Sequence, residues 1–231
     1  MKKILAIIAL ASVAAASVQA QGLVIFGNGS TSRVSTNSTV GGAASGLVSA
    51  TAGGFYYALF YSTSASNVGG STAAVVGSSA SGYVFNAANS ASWTQVTSLG
   101  TNTTAGRFLG SASDANSATA VNGLAGGSAA NFVVIGWSAN LGSSVSALIA
   151  SLAAGNWSGT AYLGQSVVSG SLTAGNGALV PTPALFGPSA PAMQGFTAGQ
   201  LAPVAAVPEP GTMALAALGG ASLLLFRRKN K

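Results

Sequence analysis

The chain has 231 residues, 49% of them hydrophobic and only 4% charged, with no Cys and no His. Soluble cytosolic domains carry about 25% charged residues, and disordered segments pair low hydrophobicity with high net charge, so neither class fits. The formal charge of +6 is not a nucleic-acid footprint, because phosphate binding needs clustered cations, and Lys2, Lys3, Arg227, Arg228, Lys229 and Lys231 all sit at the two ends.

The first twenty residues, MKKILAIIALASVAAASVQA, have the order of a secretory signal peptide. Lys2 and Lys3 form a charged start and Ile4 to Val13 a short apolar core. Val18-Gln19-Ala20 then places small residues where a signal peptidase needs them, with the cut between Ala20 and Gln21. The alternative, an uncleaved anchor, asks a span of about 20 residues from a shorter apolar core.

Residues 21–179 form a proline-free body in which short apolar runs alternate with Gly, Ser and Asn clusters. Aromatic and β-branched enrichment between turn residues predicts strands at Leu23–Phe26, Phe55–Ser62, Ala73–Val76, Tyr83–Phe85, Trp93–Leu99, Arg107–Leu109, Phe132–Ser138 and Tyr162–Ser169. Many short strands at this spacing predict a mainly β fold, an antiparallel sandwich or barrel-like body. One short helix interrupts them. Val145, Leu148, Ile149 and Leu152 follow helical spacing, Ser143 or Ser144 can cap the start, and Gly155 can end it. No fixed-period repeat is present.

The body holds no catalytic set. Without His or Cys there is neither a Ser-His-Asp triad nor a Cys-His pair, and its charged residues are Arg33, Arg107 and Asp114 alone. Paired-carboxylate hydrolysis needs two acids, and Asp114 with neighbouring carbonyls is poorly charged for calcium. No cofactor or metal is expected. Gly27-Asn28-Gly29 has the look of a phosphate-cradling loop but lacks a third Gly and a Lys, so it reads as a turn. Asn28, Asn37, Asn102 and Asn156 each open an Asn-x-Ser/Thr triplet, as chance produces in so Asn- and Ser-rich a chain. Tyr56, Tyr57, Tyr61, Trp93, Trp137 and Trp157 admit two readings, core side chains or an exposed platform stacking on sugars.

All 7 prolines follow residue 180. Residues 180–206 therefore read as an extended, proline-stiffened linker. The alternative is that Phe186 and Phe196 anchor part of it on the body.

Residues 207–231 begin with Val207-Pro208-Glu209-Pro210. The uncharged run Gly211 to Phe226 follows, and Arg227, Arg228 and Lys229 close it. As a helix the run would be about 24 Å long, slightly less than the roughly 30 Å hydrocarbon core. The two prolines fit only before it or in its first turn, and the basic stop belongs on the cytoplasmic side. This three-part tail resembles the PEP-CTERM sorting signal of Gram-negative bacteria. The resemblance implies recognition by a membrane-embedded exosortase, a cysteine transpeptidase-like enzyme, after export through the general secretion machinery. It also implies a destination at the outer surface or among exopolysaccharide. The body resembles a recurrent type among such proteins in its Leu23–Phe26 strand followed by Asn28, its Tyr-rich Phe55–Tyr61 strand, its later Trp strand and helix, and Gly164-Gln165-Ser166. That second likeness bears on fold alone.

The expectation is an exported, non-enzymatic surface or matrix protein that meets the membrane at least transiently. The alternatives are a carbohydrate-binding or adhesive module using exposed aromatics, and a permanently anchored single-pass membrane protein.

Overall fold

Phe55–Ser62 and Phe132–Ser138 are apolar at both parities, and strand side chains alternate between faces, so each run must be covered on both sides. The computed structural model describes residues 21–69, 82–110, 118–155, 157–177 and 179–201. The signal segment, the Ala73–Val76 run, Asp114, Asn156 and the C-terminal tail, with its expected membrane helix, lie outside those residues.

In chain order the strands are β1 (Gln21–Val24), β2 (Ser35–Asn37), β3 (Ala44–Leu47), β4 (Phe55–Ser62), β5 (Thr94–Thr104), β6 (Arg107–Gly110), β7 (Thr119–Ala125), β8 (Ala129–Ser138), β9 (Ala161–Gln165), β10 (Leu172–Thr173) and β11 (Thr197–Leu201). The helices are α1 (Ala87–Ser90) and α2 (Val145–Ala154). A nine-stranded sheet runs β3-β2-β11-β9-β8-β4-β5-β6, with β10 also on β8, and β1 and β7 form a second, two-stranded sheet. The protein is mainly β, as expected. Among these strands the pairing is antiparallel except that β11 joins β2 in parallel, and two isolated bridges, Ile25↔Ala184 and Phe186↔Met193, are parallel as well.

β4 and β8 pair without a bulge from Phe55↔Ser138 to Ser62↔Asn131. One face of the pair carries Phe55, Tyr57, Leu59, Tyr61, Phe132 and Val134 into a core shared with β1, β7 and the 185–196 segment. The other carries Ala58, Phe60, Val133, Ile135 and Trp137 against α2 and the Tyr83–Trp93 segment. The sheet curls until its ends meet. The Val34 N–H donates to the Gly106 carbonyl at 2.8 Å, and the Gly106 N–H donates to the Val48 carbonyl at 2.9 Å. Gly106 has φ +72, and a Cβ there would press on Leu47, Arg33 and the Val34 carbonyl. Glycine is required at this seam.

α2 matches its sequence signals. The Ser144 Oγ accepts from the Ala147 N–H at 3.1 Å. Gly155, left-handed at φ 63, ends the helix. Val145, Leu148 and Leu152 are buried, whereas Ile149, expected to pack with them, is exposed.

Two expected strands are corrected. Tyr83–Phe85 is not a strand. Its backbone is met by side chains instead: the Gln165 Oε1 accepts from the Val84 N–H at 2.8 Å, and the Gln165 Nε2 donates to the Gly82 carbonyl at 3.0 Å. Tyr83 and Val84 are nonetheless buried. The Tyr162–Ser169 strand stops at Gln165, but the chain stays beside β8 by another device. The Ser166 N–H donates to the Val134 carbonyl while its Oγ accepts from the Val134 N–H, and Ser169 does the same with Phe132.

The 180–206 segment is not a free linker over its first twenty-odd residues. Leu185, Phe186, Met193 and Phe196 are buried, and β11 lies inside the main sheet. Its prolines do not prevent this, because they contribute carbonyls rather than N–H groups: Pro183 accepts from Ile25, and Pro191 accepts from Gly170. Burying each of those four side chains stabilises by about 1.5–3 kcal/mol, so together they rival a domain's entire net stability. A chain truncated after Leu179 is therefore expected to show no cooperative thermal transition by circular dichroism, whereas one ending at Leu201 should melt as a single unit.

Candidate functional site

The chemistry-bearing positions fall into three groups: the turn after β1, the aromatics, and two surface clefts. Asn28 sits in the Gly27-Asn28-Gly29 turn and is buried. Its Nδ2 donates to the Ser32 carbonyl at 2.8 Å and to the Gly106 carbonyl at 2.9 Å, and its Oδ1 accepts from the Phe108 N–H at 2.8 Å. One amide thus ties residues 80 apart in sequence, and the turn is structural rather than phosphate-binding. Asn102 plays a similar part, with its Oδ1 accepting from the Phe55 N–H and its Nδ2 donating to the Ser49 and Thr51 carbonyls. The Asn37 Oδ1 accepts from the Gln200 N–H at 2.6 Å. Asn28, Asn37 and Asn102 are therefore buried and engaged, which closes three of the four Asn-x-Ser/Thr triplets to glycan attachment on the folded body.

The aromatics form no exposed platform. Tyr57, Tyr61, Trp93 and Trp137 are buried, and Tyr56 and Trp157 are half-buried against the core on the α2 side. Tyr57 stacks on Phe108 with ring centroids 4.1 Å apart, and its hydroxyl has no hydrogen-bond partner among the described residues. Burial pushes the Tyr57 and Tyr83 phenols well above the ordinary value of 10.0. Four of these six rings lie in the interior and the other two are partly covered, so the exposed-aromatic sugar-binding alternative gains no support from them.

Two of the surface clefts are lined by described residues. The first, about 180 Å³, is lined by Asn37, Tyr83, Leu163, Gln165 and Thr197 among others, and both side-chain amides in it are bonded to backbone as described. The second, about 240 Å³, gathers hydroxyls of Ser62, Thr63, Ser64, Ser92 and Thr94 beside Tyr61. The Tyr61 hydroxyl donates to the Asn122 carbonyl at 2.8 Å, and the Ser62 Oγ accepts from the Ala65 N–H at 2.8 Å. Neither cleft has a charged or activated group lining it. Among the described residues there is no cluster of metal-ligating side chains, and no helix is long and apolar enough to cross a membrane.

Gln21, the residue after the expected signal cut, is exposed and opens β1. Ala20, the motif Val207-Pro208-Glu209-Pro210 and the basic stop Arg227, Arg228 and Lys229 lie outside the described residues. Among the described residues, neither cleft gathers a charged side chain and no metal-ligating cluster forms. The chain combines a β-rich body with a C-terminal sorting segment. A family model for the PEP-CTERM protein-sorting motif matches residues 206–229, covering the Pro-Glu-Pro element, the apolar run and the basic stop. The chain therefore carries a PEP-CTERM sorting motif. Comparison with curated proteins and with solved structures finds no match.

Asn28→Ala should destabilise the body by about 2–4 kcal/mol in urea denaturation, because it leaves the Phe108 N–H and the Ser32 carbonyl without their side-chain partner and the Gly106 carbonyl with the Val34 N–H alone. Tyr57→Phe should be neutral or stabilising near pH 7, since its hydroxyl is desolvated and unpaired. For the native protein the unfolded phenol ionises first, so stability holds below about pH 10 and falls as pH rises past it; Tyr57→Phe should make that fall shallower in denaturant titrations at alkaline pH.

Proposed function

We propose that this is an exported, non-enzymatic protein whose tail is read by an exosortase and which ends at the envelope surface or in the extracellular matrix. The match of the sorting motif to residues 206–229 carries the reading. In it, Lys2, Lys3 and the apolar core direct secretion, and a signal peptidase cuts after Ala20. Pro208 and Pro210 keep the apolar helix from starting early, which holds Glu209 at the outer membrane face as the recognised residue. Arg227, Arg228 and Lys229 halt translocation and give a membrane intermediate for processing. A non-enzymatic body is supported by the absence of His and Cys and by lysines confined to the chain ends. Its surface of Ser, Thr and Asn suits a hydrated matrix containing exopolysaccharide.

Intact-mass measurement of the exported protein should give a chain starting at Gln21 and lacking Arg227 to Lys231. Glu209→Ala should keep the tail and stay in the membrane fraction after an alkaline wash. A full tail on every exported molecule would refute processing and make the permanently anchored reading the correct one.

A further inference from the structure

The charged side chains among the described residues are Arg33 and Arg107, with no acid to pair them, and both are exposed. The fold sets them together although they are far apart in sequence. Their meeting point is Gly106, at the seam where the sheet closes. A Cβ on Gly106 would stand 3.1 Å from the Arg33 Cβ, and Arg107 is the next residue. The Arg107 Nε donates to the Asn28 carbonyl at 3.4 Å, and the Asn28 Nδ2 donates to the Ser32 carbonyl. One guanidinium therefore lies on the turn that ends in the other arginine.

Two leucines continue this stripe. The Leu47 Cδ2 would stand 3.0 Å from the same Cβ on Gly106, and the Leu109 Cδ1 would stand 3.0 Å from a Cβ on Gly27, the residue that bridges Leu109. Leu47 and Leu109 are 40% and 43% exposed. Val34, Val48 and Phe108, each next in sequence to one of these four residues, are buried in the core. Arg33, Leu47, Arg107 and Leu109 thus stand on the outer side of the seam. A single exposed leucine needs no explanation, but two beside the cations make a mixed apolar and cationic surface.

The chemistry of that surface selects its partner. A small free anion would use the guanidinium groups and leave the leucines in water. An anionic sugar polymer would be met by exposed rings, yet the rings at this seam, Phe26 and Phe108, are buried and packed edge-on against each other. A bilayer with anionic headgroups offers phosphate oxygens to the guanidinium forks and an apolar layer to the leucines.

We propose that the outer side of the seam is a docking surface for a lipid bilayer bearing anionic headgroups. Arg33 and Arg107 contact the phosphates, and Leu47 and Leu109 enter the interface. The surface belongs to the body and acts whether or not the tail is processed. A cation beside an anionic bilayer strengthens partition about fivefold, so the pair contributes roughly 25-fold. Salt screens that attraction.

The chain has no Cys, so Thr31→Cys on the exposed turn gives one attachment point for an environment-sensitive fluorophore. The labelled full chain is reconstituted into vesicles of phosphatidylcholine alone and of phosphatidylcholine mixed with phosphatidylglycerol. Any partition of the apolar run is common to both, so the difference between them reads the body. The expected result is a blue shift in the mixed vesicles only, lost at high salt and in Arg33→Gln/Arg107→Gln, and kept in Arg33→Lys/Arg107→Lys. Leu47→Ser/Leu109→Ser should lose most of it, with cooperative melting by circular dichroism showing that each variant is folded. Should the glutamine pair fail to melt cooperatively, high salt on the native chain supplies the same test. Equal emission in the two vesicles overturns the proposal, as does a shift that survives high salt or the loss of both cations. Loss of the shift in the lysine pair overturns it too, because charge would then not be the requirement. A shift that survives loss of both leucines, or that dextran sulfate or inorganic phosphate produces without vesicles, assigns the seam to a soluble anion and overturns the lipid surface.

Discussion

The uninterrupted pairing of β4 with β8 is the constraint from which the rest of the body follows. Two adjacent strands apolar at both parities cannot lie on a single layer with one face in water. Leu59, Phe132, Ile135 and Trp137 are fully buried, and leaving either face open would cost about 1.5–3 kcal/mol for each large side chain exposed. The chain must therefore supply two covers. One comes from α2 and the Tyr83–Trp93 segment, the other from β1, β7 and residues 185–196. The second cover draws the proline-rich segment into the body, and with it places β11 in the sheet.

Closing such a structure with almost no charge requires neutral groups at every junction. A side-chain amide offers a donor and an acceptor at once, so Asn28, Asn102 and Gln165 can each end a ladder where the backbone geometry fails. Ser166 and Ser169 serve β8 in the same way. Burying these groups is tolerable only because they are bonded, and a buried polar group without a partner costs about 1–3 kcal/mol. The abundance of Asn and Ser is thus in part a property of the interior, and triplets resembling glycan acceptors are there for structural reasons.

What was legible in the sequence follows the range of the interaction responsible. β4, β8 and α2 were readable because their signals are local: an apolar aromatic run, or a helical stripe between Ser144 and Gly155. β2, β3, β7, β10 and β11 were not, because segments such as STN, LT and TAGQL contain small or polar residues whose extended form is imposed by neighbours. Tyr83–Phe85 misled for the converse reason, since β-prone residues are held there in a turn by a distant glutamine. The prolines after residue 180 pointed to a linker, but the apolar side chains between them outweighed that preference. The sorting tail was readable in full as a motif, because its meaning depends on residue order and not on any partner within the fold.

That difference bears on how the two parts of the molecule relate. An address written as a linear motif can be attached to any body, yet here it follows within a few residues of a strand that the sheet cannot lose. The body's polar groups are turned largely toward one another: the two clefts are lined by amides and hydroxyls, several already bonded to backbone, and the large aromatics lie inside. Among the described residues the outside carries hydroxyl and amide groups and two exposed cations, Arg33 and Arg107. The position of the C-terminal end is fixed tightly, because β11 is paired on both edges and Gly164 admits it only at close approach. The fold's firmest statement to its surroundings is therefore where the chain leaves the sheet.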